Sequence, residues 1–144
     1  MPNIMRNITE ITRLGAQYRG DAFAPMGLKA FHGSYLLNIC ANPGISQEQL
    51  AKNICINKSN VARQIVVLEE GGFVRREPCE QDKRVMRLYP TEKTLALLPR
   101  LREVMRAWRT QLLQDLSPEE QALMEDLLHK IKARAEEVVE GMQE

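Results

Sequence analysis

Ile4, Ile8, Ile11, Leu14 and Tyr18 recur every three or four residues, the spacing of one face of an α-helix. The pattern predicts a first helix, a loop around positions 20–25, and a second helix with Leu28, Phe31, Tyr35, Leu36 and Ile39 turned inward. Asn42-Pro43-Gly44 ends it, since Pro and Gly interrupt helical geometry. Ser46 opens the next helix. Its hydroxyl can accept from a free N–H of the first turn, and Gln49 three residues on can reach back, the signature of a capping box. Leu50, Ala51 and Ile54 form its apolar side. The tight connection Ile54-Cys55-Ile56 leads to Asn57, an N-cap for a helix expected to run through Glu70. In that helix Val61, Ile65 and Leu68 share one face, so Lys58, Ser59, Asn60, Arg63 and Gln64 are left pointing largely elsewhere. Gly71-Gly72 stops it.

Two short strands are expected next, at positions 73–77 and 84–89, joined by the polar turn 78–83. The last third reads as two helices. Leu95, Leu98, Leu101, Met105, Trp108 and Leu112 form the stripe of the first, with a kink expected at Pro99. Ser117-Pro118-Glu119-Glu120 starts the other, whose inner face is Leu123, Leu127, Ile131 and Val138, with Met124, Leu128 and Val139 beside them. The fold class is therefore mainly α with a small β-hairpin. Two short helices around a tight turn, followed by a hairpin, give the element order of a winged helix-turn-helix.

That order suggests a chemistry. A helix fits the major groove of B-DNA, about 12 Å wide, and polar side chains on its outer face can meet base edges. Lys58, Ser59, Arg63 and Gln64 supply such groups. The helix start at Ser46 and Gln47 offers backbone N–H groups and a positive dipole end to a phosphate. The charged hairpin tip, with Lys83 and Arg84, can lean on the neighbouring backbone or enter the minor groove.

The run from Ile45 to Lys93 resembles the MarR (multiple antibiotic resistance regulator) family, most specifically at Leu50-Ala51, at Leu68-Glu69-Glu70 before Gly72, and at Asp82-x-Arg84. The flanking helices match in order and length. The resemblance implies a winged helix-turn-helix lobe over residues 28–90, and N- and C-terminal dimerisation helices over 1–27 and 91–144. It places Ser59, Asn60, Ala62, Arg63 and Val66 on the recognition helix facing DNA, Asp82 as a brace of the wing, and Arg84 as the wing arginine. It implies a homodimer on a pseudo-palindromic double-stranded operator, released by a small, often aromatic effector in a crevice near Phe31 and His32. Three positions depart from the family pattern: Ala62 for a common Thr, Cys55 for the usual Gly of the turn, and Thr94 for a frequent Gly. At Cys55 either the backbone avoids positive φ or it tolerates strain.

Charge sharpens the picture once it is divided along the chain. Positions 45–90 carry eight Lys/Arg against six Asp/Glu, whereas 115–144 carry three against nine, so a basic middle precedes an acidic tail. Cys40, Cys55 and Cys79 form no C-x-x-C pair, so neither a disulfide framework nor a zinc site is expected, and a reducing cytoplasm fits. Cys40 reads as core, Cys55 as half-buried in the turn, and Cys79 as exposed near the wing tip, where a thiol-based redox-sensing regulator would carry its switch. A winged-helix protein-interaction module is the other alternative. With no paired carboxylates, Ser-His-Asp spacing or Gly-rich phosphate loop, the chain does not read as an enzyme, and no cofactor or metal is expected. No apolar run approaches the roughly 20 residues of a membrane span, so no membrane partner is expected.

Overall fold

Ile45 and Ser46 form a strand too short to predict, and it completes the sheet. In the computed structural model, which describes residues 2–143, the elements are α1 (Ile4–Phe23), a 3₁₀ turn (Ala24–Met26), α2 (His32–Ala41), β1 (Ile45–Ser46), α3 (Gln47–Ile54), α4 (Lys58–Glu70), β2 (Val74–Pro78), β3 (Met86–Pro90), α5 (Glu92–Leu112) and α6 (Pro118–Met142). The sheet is antiparallel with order β1-β3-β2; Ile45 faces Leu88 and Arg76 faces Leu88 from the other side. The chain divides into two compact units, one ending at Arg106 and one beginning at Ala107.

The core of the first unit gathers Phe23, Leu36, Ile39, Leu50, Val61, Ile65, Leu68, Leu88 and Leu101, all almost wholly buried. Burying each such side chain contributes about 1.5–3 kcal/mol relative to exposure. The expected inner faces of α3 and α4 are therefore the observed ones. Phe23, Leu101 and Val104 join this core, so it extends beyond the 28–90 lobe on both sides. Thr94, fully buried at the start of α5, donates its hydroxyl to the Phe73 carbonyl at 2.6 Å and ties α5 to the approach of β2.

Several expectations need correction. Helix α1 runs through Gly20 to Phe23, since a lone glycine is tolerated inside a helix, and the chain turns only at Pro25. Phe31 is 43% exposed rather than inward, since α2 begins one residue later and the preceding residues are not helical. Ser46 accepts from the Gln49 N–H at 3.0 Å, but the Gln49 side chain donates to Asn53 instead of reaching back. The wing strands begin one and two residues later than predicted. Helix α5 carries Pro99 inside its span, at the position where the kink is expected. The reciprocal cap at Ser117 and Glu120 is present, with bonds of 3.1 and 2.9 Å.

In the second unit, α6 has no buried residue. Leu123, Leu127, Ile131, Val138 and Val139 are all 43–60% exposed along it.

Candidate nucleic-acid interface

Ser46 and Asn57 each cap a helix with their side-chain oxygens, at 3.0 Å to the Gln49 N–H and 2.8 Å to the Asn60 N–H. These caps fix where α3 and α4 begin, and the two starts lie on one groove. The groove has a volume of about 460 Å³ and is lined by Ser46, Gln47, Glu48, Lys58, Ser59, Ala62, Arg84, Val85 and Met86. Six of the predicted positions, drawn from α3, α4 and the wing, thus meet at one place. Glu48, Val85 and Met86 complete it and were not anticipated. Glu48 carried the sequence signal of an acid in the first turn of a helix; its partner ten residues on did not show in any periodic pattern.

Electrostatics in the groove are set by paired charges. Lys58 Nζ lies 2.9 Å from Glu48 Oε1, and this bond, with the charge of Lys52, holds the Glu48 carboxyl below its usual range. Asp82 accepts from the Arg84 backbone N–H at 3.1 Å and from its guanidinium at 3.1 and 3.2 Å, which holds the Asp82 carboxyl low. The Arg84 side chain is nevertheless 91% exposed: Asp82 orients its guanidinium without covering it. Both pairs are exposed and contribute little stability of their own. Among the described residues, Gln47 Oε1 is the one buried side-chain polar atom without a hydrogen-bond partner.

The remaining predicted positions are spread around α4 and the wing. Arg63 and Val66 are exposed, Arg63 contacting Asn60 Oδ1 at 3.5 Å, while Asn60 itself is half-buried. Lys83 is exposed beside Arg84. Gln64 turns the other way, its Oε1 3.0 Å from His32 Nε2. Arg75 and Arg76 are both engaged, the first with Glu77 and over the Tyr89 ring, the second with Glu69 at 3.0 Å.

The MarR family profile matches residues 32–86. The HTH-type transcriptional regulator YybA of Bacillus subtilis (strain 168), itself uncharacterized, is 34% identical over 136 residues, 94% of this chain and 91% of that protein. The chain belongs to the MarR family of transcriptional regulators. Its fold agrees. The crystal structure of the transcriptional regulator SlyA is 31% identical, covers 94% of this chain and 96% of that one, and superposes with a TM-score of 0.91. A Listeria monocytogenes relative solved in complex with a 26mer DNA is 28% identical, with a TM-score of 0.88 over 93% of this chain and 89% of that one.

The cysteines of this MarR-family chain differ from their sequence reading. Cys79 is 6% exposed, a correction to its expected position at the surface. It is covered by the hairpin turn: its N–H donates to the Val85 carbonyl at 2.8 Å and its thiol reaches Gln81 Oε1 at 3.1 Å. Hydrogen bonds from the backbone of Asp82, then Gln81, and from the Arg87 side chain hold that thiol below its ordinary value. Cys40 is half-buried rather than core, and burial pushes its thiol up. Cys55 is exposed at φ 58°, ψ 43°, so the turn keeps the left-handed conformation that a glycine favours and bears the strain. Among the described residues no group of three His, Cys, Asp or Glu could hold a metal ion, and no helix is long and apolar enough to cross a membrane.

Proposed function

We propose that the chain is a sequence-specific double-stranded DNA-binding repressor, acting as a homodimer on a pseudo-palindromic operator in the cytoplasm. The observation that carries this reading is the convergence of the starts of α3 and α4 with the wing arginine on one groove. A helix entering the major groove would bring Ser59, Ala62, Arg63 and Val66 toward base edges, while Ser46, Lys58 and Arg84 meet the backbone or the minor groove. The DNA complex of the Listeria relative supports the same use of the fold. Exposed apolar side chains on α1 (Ile4, Met5, Ile11, Leu14) and on α6 support a partner copy, because apolar stripes of this extent are seldom left in water.

A small aromatic effector that weakens DNA binding completes the proposal, with the exposed ring of Phe31 beside His32 as its candidate contact. Gel shifts against the DNA upstream of the coding sequence test the function, at low and moderate salt, with excess random duplex and then with a panel of aromatic acids. A shifted band that survives random competitor is expected, reduced by at least one of the acids. Binding abolished by an equal amount of random DNA, or absent at low salt, would contradict the DNA reading.

A further inference from the structure

His32 opens α2 and is only 2% exposed, yet both ring nitrogens are engaged. Nδ1 accepts from the Lys29 backbone N–H at 3.0 Å. A backbone N–H can only donate, so Nδ1 carries no proton and the ring hydrogen sits on Nε2. Nε2–H therefore donates to Gln64 Oε1 at 3.0 Å, across to α4. The His32 backbone N–H returns a bond to the Lys29 carbonyl at 3.1 Å, closing that turn from both sides. On α4, Gln64 lies on the flank of the buried Val61, Ile65 and Leu68, well around the helix from Ser59, Ala62 and Val66.

We propose that His32 is a positioning residue for DNA binding: its neutral ring bridges the Lys29–His32 turn to Gln64, fixes the rotation of α4 against that turn, and in acid keeps Gln64 but loses the turn that braces it. The assignment rests on the DNA-binding reading above. A second proton would have to enter at Nδ1, where it would face the Lys29 N–H. Donor would meet donor, and the bond closing the turn would break. The surroundings oppose that charge. The side chain of Lys29 adds a like charge, α4 offers the neutral Gln64 amide, the residue before α2 contributes the Phe31 ring at 4.5 Å, and α2 the uncharged Tyr35 ring at 6.2 Å with its positive N-terminal end. Burial chiefly, with the charge of Lys29, holds the ring below the ordinary histidine value, while the Gln64 bond pulls the other way. The folded chain thus resists a proton that the unfolded chain accepts. The contribution of His32 to stability is present in full above about pH 6.5 and declines as the pH falls below it.

The sign of the effect on DNA makes it diagnostic. Acid adds positive charge to a protein and by itself strengthens its attraction for phosphate. Loosening α4 predicts the reverse. The full chain is used to select a duplex from a randomised library, and its affinity for that labelled duplex is measured by fluorescence anisotropy at constant ionic strength. Wild type is expected to bind about three- to tenfold more weakly near pH 5.5 than near pH 7.5. His32→Gln can still donate to Gln64 but cannot titrate here, so it keeps most of the neutral-pH affinity and loses the acid response. Gln64→Glu sets a carboxylate against the ring, so NMR titration of His32 in DNA-free protein moves to higher pH and the loss of affinity moves with it. An acid response that persists in His32→Gln, or a His32 titration unmoved in Gln64→Glu, overturns the assignment. A selection that returns no duplex overturns the DNA reading and this role with it. That result is distinct from a selected duplex bound alike at both pH values, which overturns the pH-sensitive hold alone.

Discussion

Arg63 stands exposed on α4, on the side away from the buried Val61, Ile65 and Leu68. If its guanidinium meets a base edge, Arg63→Ala costs about 1–3 kcal/mol on the preferred duplex and little on random DNA. Anisotropy on both duplexes measures the difference, and equal losses would assign Arg63 to phosphate. Cys55 offers a prediction about stability. A non-glycine residue in the left-handed region costs roughly 1–2 kcal/mol, and glycine returns part of that gain as chain entropy, about 0.5–1 kcal/mol. Cys55→Gly should therefore stabilise the first unit by about 0.5–1 kcal/mol and raise the melting temperature by a few degrees; a lower melting temperature would contradict the strain at φ 58°. The turn itself was legible, since Cys55 falls between two capped helices. The partners of Gln64 and Cys79 were not. A periodic pattern says which side of a helix is buried, but not that His32 waits on one flank of it. Nor does it reveal that a hairpin turn folds back over its own thiol.

Among the elements, α3 and α4 were the most legible, because their caps and apolar faces agree. Ser46 and Asn57 accept where they were expected to, and Leu50, Val61, Ile65 and Leu68 are buried. β1 was not legible: two residues give no alternation to read, and Ile45–Ser46 becomes a strand only by pairing with Leu88 and Arg87. The wing lies between: its strands were anticipated but sit one and two residues further along, and beyond their last pair the Cys79 N–H still bonds the Val85 carbonyl. At its tip, Asp82 holds the Arg84 guanidinium, which stays exposed. Arg84→Ala should weaken specific and random DNA alike. It should also flatten the dependence of log affinity on log salt by about 0.9 for each phosphate that Arg84 neutralises. Titrations across a salt series check this, and an unchanged slope would remove Arg84 from the DNA interface.

On the scale of the molecule, the family resemblance implied a DNA-binding lobe over residues 28–90 between dimerisation helices. The first compact unit reaches Arg106, and Phe23 and Leu101 share the core of the lobe. Element order told where helices lie; it could not tell which of their apolar faces close within one chain. The stripe of α6, from Leu123 to Val139, stays exposed, and so do Ile4, Ile11 and Leu14 on α1. A second copy that covers α6 predicts that Leu127→Glu with Ile131→Glu yields a monomer in sedimentation. The folded first unit should be retained by circular dichroism. A dimer that survives both charges would place the interface elsewhere.

Hydroxyl-radical footprinting of the wild-type chain on the DNA upstream of its coding sequence tests the central claim most directly. Two protected patches are predicted, related by a local two-fold and centred about 34 Å apart along one face of the duplex, both absent with Arg63→Ala at the same concentration. A single patch, uniform protection along the fragment, or protection indifferent to Arg63 would contradict the account of α4 as the helix that reads DNA.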